Sequence, residues 1–200
     1  EVRNDLIQSA KIFHFGSLSL TEEPVRTATQ NAVSVAEKAG IWISYDPNLR
    51  KPLWRREKEA KEQICYGLKH CHILKISDDE LIWLTGEQDY NRAVEKLRTE
   101  FPIPLILLSM GKEGSRAYCG NQMAEMTPFL NPNTIETTGA GDTFMGCMLH
   151  QILLKGYQNL SKQDMEEMLE FANAAASIIT TRRGALRVMP EQAEIEEILK

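Results

Sequence analysis

Apolar residues along this chain fall into two kinds of run. Residues 11–16 (KIFHFG), 41–45 (IWISY), 72–76 (HILKI) and 105–109 (LILLS) are short apolar stretches bounded by polar or glycine residues, the pattern of buried strands. The last is almost wholly apolar, as expected of a central parallel strand covered on both faces. Between them lie longer, more polar segments with helical spacing. One starts at Thr21-Glu22-Glu23-Pro24, with a cap residue, acids and an early proline, and stops at Gly40. Others run over residues 55–69 and 91–100. Ser77 and Glu80 have the Ser-x-x-Glu spacing of a capping box and open a further helix. Residues 115–119 and 122–126 flank Gly120-Asn121 as a hairpin.

Beyond residue 140, Phe144, Met145, Met148, Leu149, Ile152 and Leu153 form an i, i+4 stripe that predicts a core-facing helix. Ser161 caps a helix that continues through the small-residue run 171–177, where close helix packing is expected. A last helix begins near Pro190. Strands alternating with helices predict an α/β fold in which a mostly parallel sheet carries helices on both faces, as one domain over residues 1–200. The chain begins with Glu1 rather than Met, inside helical pattern, so a longer parent protein is expected.

Composition changes this picture little. With 42% hydrophobic and 26% charged residues, the 200-residue chain can bury a full core. The net charge of −5 and the lack of a long basic run argue against a nucleic-acid surface. The apolar runs are too short to span a membrane, and no signal peptide is visible. Cys65, Cys71, Cys119 and Cys147 form no CxxC pair, which suits reduced thiols in a cytoplasmic protein. His70-Cys71-His72 resembles a metal cluster, but adjacent residues point apart and cannot easily share an ion. Asn159-Leu160-Ser161 is a glycosylation sequon read as chance.

The candidate chemistry lies at predicted strand ends and helix starts. Gly139-Ala140-Gly141-Asp142 opens a helix without side-chain bulk, so free N–H groups and the dipole suit a phosphate. By itself this stretch also fits a plain turn and N-cap. A carboxylate beside a phosphate site is repelled by it, and Asp142 is explained if it removes a proton from an attacking hydroxyl. Asp46-Pro47-Asn48, Ser77 to Glu80 and Ser109 to Gly114 are polar elements at other strand ends. In an open α/β sheet such ends meet in one crevice. The Walker pattern is absent. The dinucleotide pattern GxGxxG fails because Phe144 holds the place of its third glycine, which counts against a redox enzyme.

These stretches, in this order, resemble the ribokinase-like (PfkB) carbohydrate kinases, and within them the fructokinases. The resemblance is carried by IFHFGSLSL (12–20), YDPNLRKPLW (45–54), KISDDELIWLTG (75–86), LSMGKEGS (108–115), TTGAGDTFMG (137–146) and FANAAASIITTRRGA (171–185). It implies a three-layer Rossmann-like fold and ATP-dependent phosphorylation of a sugar hydroxyl, fructose above others. It assigns Asp142 as catalytic base and Gly139, Ala140 and Gly141 as anion hole. Ser77, Ser109, Gly111, Lys112, Gly114 and Asn173 fall at nucleotide-binding positions, Asn173 at the adenine. Asn48 and Arg50 fall near the phosphates. Glu80 falls where the family organises magnesium through water. Glu136, where the family has Asp, and Gly184 fall at a monovalent-cation loop, for which potassium is the expected ion. The family's N-terminal third, with most sugar contacts and the lid strands that often build dimers, has no counterpart here. A homodimer of the full-length protein, and inactivity of this piece alone, are expectations that follow. Alternatives are a kinase for another sugar, a keto-deoxy sugar acid or a nucleoside, and a non-catalytic nucleotide-binding protein on the same fold.

Overall fold

The computed structural model describes residues 2–200. It divides into two compact units, Glu1–Ile106 and Leu107–Lys200, with the division falling inside one strand.

The first unit carries α1 (Asn4–Ser9), β1 (Ile12–Gly16), α2 (Val25–Lys38), β2 (Trp42–Asp46), α3 (Glu57–His70), β3 (Ile73–Ser77), α4 (Asp78–Thr85), α5 (Tyr90–Glu100) and the start of β4 (Leu105–Ser109). Its strands follow chain order, β1-β2-β3-β4. β1 pairs parallel with β2 from Ile12↔Trp42 to Gly16↔Asp46, and β2 pairs parallel with β3 at Ser44↔Ile73 and Tyr45↔Leu74. The second unit continues with β5 (Ser115–Cys119), β6 (Gln122–Met126), α6 (Ala140–Lys155), α7 (Lys162–Ile179) and α8 (Gln192–Ile198). Its strand order is β4-β5-β6, and β5 and β6 form an antiparallel hairpin with Arg116 paired to Glu125 at 3.0 Å.

The expected α/β alternation is therefore present, and β4 shows why it was readable. Leu105 to Leu108 are all fully buried. Because successive side chains leave a strand on opposite sides, both faces of β4 are covered. Each such side chain contributes roughly 1.5–3 kcal/mol of burial. β3 is covered in the same way, with one difference: between Ile73, Leu74 and Ile76 it carries a lysine, Lys75.

Two helix expectations need correction. The segment at Thr21 does not open α2. Ser17–Leu20 form a short 3-10 turn, Thr21 Oγ1 donates to the Leu18 carbonyl, and the helix begins after Pro24. Its exposed first turn is served by Glu23, whose carboxylate accepts from Thr27 N–H at 3.2 Å and Thr27 Oγ1 at 2.7 Å. On α6, Phe144, Met145, Met148 and Ile152 are buried as expected, but Leu153 is half exposed and Leu154 is 70% exposed. Lys155 lies one turn beyond Ile152 on the same face and reaches Asp164 and Glu167 of α7, each at 2.9 Å. Leu153 and Leu154 are turned away from that face by roughly 100° and 200°.

The small residues of α7 serve packing. Ala174, Ala175 and Ile178 form a cluster with Ile195 of α8, flanked by Phe129, Cys147 and Phe171. His70, Cys71 and His72 engage three different neighbours. His70 Nδ1 lies 2.6 Å from Glu37, the Cys71 thiol donates to the Leu68 carbonyl, and His72 Nδ1 accepts from Ile43 N–H at 3.0 Å. Among the described residues no helix is long and apolar enough to cross a membrane.

Tyr45 is a tight point in the first unit. Its ring packs on Phe15 with centroids 4.6 Å apart and lies over Gly67, where an added Cβ would fall 2.3 Å from the ring. Its buried hydroxyl has no partner among the described residues. Tyr45→Phe is expected to be neutral or to raise stability by up to about 1 kcal/mol, since an unpaired buried donor carries a desolvation cost. Gly67→Ala should cost about 1–3 kcal/mol through overpacking. Urea midpoints of the two variants check this, and a clear loss in Tyr45→Phe would mean that the hydroxyl is bonded.

His72 supplies a pH dependence. Burial lowers its pKa from the ordinary 6.5, with Glu37 acting in the opposite sense. The folded state therefore binds its proton less readily than the unfolded chain. The stabilisation is complete above about pH 6.5 and is lost as pH falls through the lower folded value. Asn in place of His72 keeps an acceptor for Ile43 N–H without titrating. Thermal melts from about pH 7.5 to about pH 5 should fall more steeply for the native chain than for His72→Asn; parallel slopes would remove His72 as the cause.

Candidate functional site

In the first unit the candidate residues gather where β2 and β3 end. The parallel register that sets Tyr45 beside Leu74 brings Asp46 beside Lys75 one step further on. Opposed residues of parallel strands share a face, so the two side chains meet. Lys75 Nζ lies 3.0 Å from Asp46 Oδ2 and 3.3 Å from Oδ1, and both side chains are more than nine-tenths buried. Burial pushes the Asp46 carboxyl up, and the Lys75 ammonium pulls it back. Glycine at position 16 leaves room for this end of β2, since a Cβ there would stand 2.9 Å from the Asp46 carbonyl oxygen.

The loop after β2 is fastened residue by residue. Pro47 carbonyl accepts from Ser17 N–H at 3.1 Å. Asp46 Oδ1 accepts from Asn48 N–H at 3.2 Å, and Glu80 Oε1 accepts from Leu49 N–H at 2.6 Å. The expected capping box is present: Ser77 Oγ accepts from Glu80 N–H at 3.3 Å, and Glu80 Oε2 accepts from Ser77 N–H at 2.9 Å. Both oxygens of the buried Glu80 carboxylate thus receive backbone N–H groups. Asn48 has φ +45°, a left-handed conformation that residues other than glycine rarely adopt. Its carboxamide makes no hydrogen bond among the described residues, and Arg50 beyond it is exposed.

In the second unit, Gly139 at φ +79° is the N-cap of α6, with Ala140, Gly141 and Asp142 as its first turn. Ile179 and Ala185 press on Gly139 closely enough that a Cβ would lie 3.2 Å from Ile179 Cδ1. Ala140 N–H returns to Thr137 carbonyl. The N–H groups of Gly141 and Asp142 have no partner among the described residues, as the first turn of a helix leaves them. The Asp142 carboxylate is exposed and likewise unpartnered. Residues leading into the turn are fixed on the end of α7, where Thr180 carbonyl accepts from Ile135 and Glu136 N–H and its hydroxyl meets Thr134 Oγ1 at 3.0 Å. Glu136 and Gly184 are brought together: Glu136 Oε1 accepts from Gly184 N–H at 2.8 Å.

The segment after β4 closes on itself. Gly111–Glu113 make a 3-10 turn, and Met110 N–H donates to Gly114 carbonyl at 2.9 Å. Gly111 and Gly114 have φ +53° and +96°, and a Cβ on Gly114 would lie 2.1 Å from the Met126 carbonyl oxygen, so only glycine fits there. Ser109 ends β4, and Lys112 is exposed at the tip of the turn. Asn173, expected at an adenine, has its carboxamide held by the protein. Oδ1 accepts from Ser115 Oγ at 2.9 Å, and Nδ2 donates to the Met126 and Thr127 carbonyls at 3.3 and 3.1 Å. It pins both ends of the β5–β6 hairpin to α7.

Sequence reasoning missed Lys75. Its signal was a single charge inside an otherwise buried strand, beside a strand that ends in Asp. Among the described residues no group of three His, Cys, Asp or Glu side chains could hold a metal ion. Each Glu80 oxygen accepts one backbone N–H and keeps a second lone pair, which fits the expected contact with magnesium through water. One oxygen of Glu136 closes the loop onto Gly184 N–H.

The chain is similar to known proteins over its whole length. A model of the pfkB family of carbohydrate kinases matches residues 1–192. Fructokinase-2 of Solanum habrochaites is 38% identical over 200 residues, the whole of this chain and 61% of its own length. Fructokinase-1 of Zea mays is 35% identical over the same 200 residues and 62% of its length. The chain therefore spans less than two thirds of these relatives. Among solved structures, fructokinase from Vibrio cholerae O395 with fructose, ADP and calcium ion bound aligns with a TM-score of 0.85 and 26% identity, over all of this chain and 65% of that one. Aminoimidazole riboside kinase from Salmonella enterica, complexed with aminoimidazole riboside and an ATP analog, aligns at 0.80 and 27%, over 94% and 62%.

Asn173→Ala would strip partners from a buried serine hydroxyl and from two carbonyls. A stability loss of about 2–3 kcal/mol is expected, the cost of leaving such groups unsatisfied, with faster amide exchange across residues 115–126. Denaturant unfolding and hydrogen exchange measure both, and an unchanged midpoint would show that water replaces the carboxamide without loss.

Proposed function

We propose that this chain, which belongs to the pfkB family of carbohydrate kinases, is the nucleotide-handling part of an ATP-dependent kinase that phosphorylates a sugar hydroxyl, with fructose as the leading acceptor. The observation that carries this reading is the start of α6. There an unpartnered, exposed carboxylate stands on the same turn as unpartnered N–H groups. A phosphate-binding turn that only held nucleotide would gain nothing from an acid in its mouth.

Asp142 is the general base in this reading. A sugar hydroxyl is a weak acid, and a carboxylate within hydrogen-bond reach takes up its proton as the oxygen attacks the terminal phosphorus. The N–H groups of Gly139 and Gly141, with that of Asp142, and the positive end of the helix dipole stabilise charge growing on the transferring group, while Ala140 N–H stays on the Thr137 carbonyl and holds the turn. They are preorganised, because Gly139 is wedged against Ile179 and Ala185 and the preceding loop is fastened on Thr180. Lys112 and the turn Gly111–Gly114 offer a cation and open backbone to the nucleotide. An ion that accompanies ATP takes its ligands largely from phosphate and water.

The acceptor is supported by the fructokinase relatives, at 35–38% identity. A second reading, a ribose-bearing acceptor, is supported by the similar likeness to the riboside kinase. A cytoplasmic location and a dimer of the full-length protein remain part of the proposal.

In the full-length protein, Asp142→Asn should cut turnover by about 10²–10⁴-fold while ATP affinity stays within about twofold. Coupled ADP-release kinetics and ATP titration measure the two quantities, and near-normal turnover would refute the assignment. The same assay run on fructose, other sugars, keto-deoxy sugar acids and ribosides identifies the acceptor, with the highest kcat/KM expected for fructose.

A further inference from the structure

Resting on the kinase reading above, we propose that Arg182 and Glu194 are positioning residues: their ion pair ties shut the loop between α7 and α8, and the closed loop holds Ala185 against Gly139 so that the anion-binding turn of α6 keeps its shape. Burial does not fix this loop. Residues 181–190 are all half-buried or exposed, and Leu186 is 83% exposed. Yet the loop meets the turn and the segment leading into it. A Cβ on Gly139 would lie 3.5 Å from Ala185 Cβ, and Gly184 N–H donates to Glu136 Oε1. Whatever fixes Ala185 therefore fixes one wall of the turn.

The fastening is a single guanidinium. Arg182 lies just past the last turn of α7, with its backbone N–H on the Ile179 carbonyl at 3.0 Å. Its Nη2 meets Glu194 Oε1, its Nη1 reaches Glu194 Oε2 at 3.4 Å, and the same Nη1 donates to the Val188 carbonyl at 3.1 Å. Val188 N–H returns to the Ala185 carbonyl at 3.1 Å, which carries the tie to the residue that meets Gly139. Glu194 is held from its own side. Its Oε2 accepts from Glu191 N–H at 2.8 Å in the cap of α8, and the next residue, Ile195, is buried with Ala174, Ala175 and Ile178 of α7. A forked contact of this kind fixes direction as well as distance. With side chains 30% and 40% exposed, the pair adds little to global stability. What it controls is geometry, and a reacting group displaced by about 1 Å can lose about 10²-fold in rate.

The test uses the full-length protein. Arg182→Met removes the guanidinium. Glu194→Gln removes the opposing charge and leaves an amide oxygen to accept from Glu191 N–H. Arg182→Lys keeps a charge without the fork. Arg182→Met and Glu194→Gln should each lower kcat by about tenfold or more, with the KM for ATP and for the sugar within about twofold, since the turn acts on charge that grows in the transition state. The double variant should be slower than Arg182→Met by no more than about twofold, because two changes to one contact are not additive. Arg182→Lys should recover part of the loss. Amide exchange at Ala140, Gly184 and Val188 should speed up by about tenfold or more in Arg182→Met. Lys155→Met is the control: it breaks the contacts with Asp164 and Glu167 at the far end of α6, and kcat should stay within about twofold of native. Native kcat in Arg182→Met would overturn the inference, as would an equal loss in Lys155→Met, which would make the effect one of general stability. If Arg182→Met does not fold, Glu194→Gln and Arg182→Lys decide by the same readouts. If the native protein phosphorylates no acceptor, the kinase reading fails; exchange at Ala140 in Arg182→Met then still separates a brace, whose loss accelerates it, from no brace.

Discussion

A lysine in the middle of a strand that is covered on both faces cannot be solvated, and moving an unpaired ion out of water costs several kcal/mol. Lys75 is in that position, so a carboxylate had to stand beside it. The parallel register of β2 and β3 dictates which one, because only the residue opposite Lys75 shares its face. That residue is Asp46, the last of β2. A pairing forced by burial thereby fixes where β2 stops and where the following loop starts. The pair need not raise net stability, since buried ion pairs often only break even with apolar replacements. Its effect is on placement: Asp46 turns a second lone pair to Asn48, and Glu80 takes up the next free N–H.

The second unit solves a similar problem without ions. A hairpin, a helix and a tight glycine turn have to be brought to one end of β5 and β6. Asn173 does this through three hydrogen bonds from one carboxamide, to Ser115, Met126 and Thr127. The Met126 carbonyl it holds is the atom that excludes any side chain at position 114. Glycine there is demanded twice, by the positive φ and by that close approach. The start of α6 is braced by Thr180, Ile179 and Ala185 in the same spirit, so that its open N–H groups need no rearrangement to meet an anion.

Much of this was legible in the sequence wherever a local pattern carries its own cause. β4, β5 and β6 fall at the residues expected, because an apolar run and a Gly-Asn hairpin turn are complete signals. The capping box at Ser77 and Glu80 is likewise present, being a pattern four residues long. What failed depended on partners distant in sequence. The α6 stripe was over-extended to Leu153, because only the contact of Lys155 with α7 reveals which face is inward. Thr21 had the composition of a cap, but Glu23 took over the first turn of α2 and moved its start. The ion pair of Asp46 with Lys75 needs the strand register, and the three partners of Asn173 lie far from it in sequence. Membership of the pfkB family was legible from the ordered motifs, since order along the chain survives without any contact information.

The carboxylates of this chain then separate by what surrounds them. Asp46 and Glu80 are buried, and every oxygen on them receives an N–H or an ammonium hydrogen from the protein. Glu136 is turned onto Gly184 N–H. An acid so engaged is a poor proton acceptor for a substrate, because accepting a proton means giving up a bond that holds the fold. Asp142 differs on both counts: it is exposed, and no described residue bonds to it. It also stands on a helix start whose first residues, Ala140 and Gly141, put no bulky side chain ahead of the acid. A base must be idle before the substrate arrives and close to the group that draws the electrons away. Of the four, only Asp142 is idle, and the open N–H groups of its own turn supply the second condition. The acids that resemble it in the sequence are distinguished from it by what they already hold.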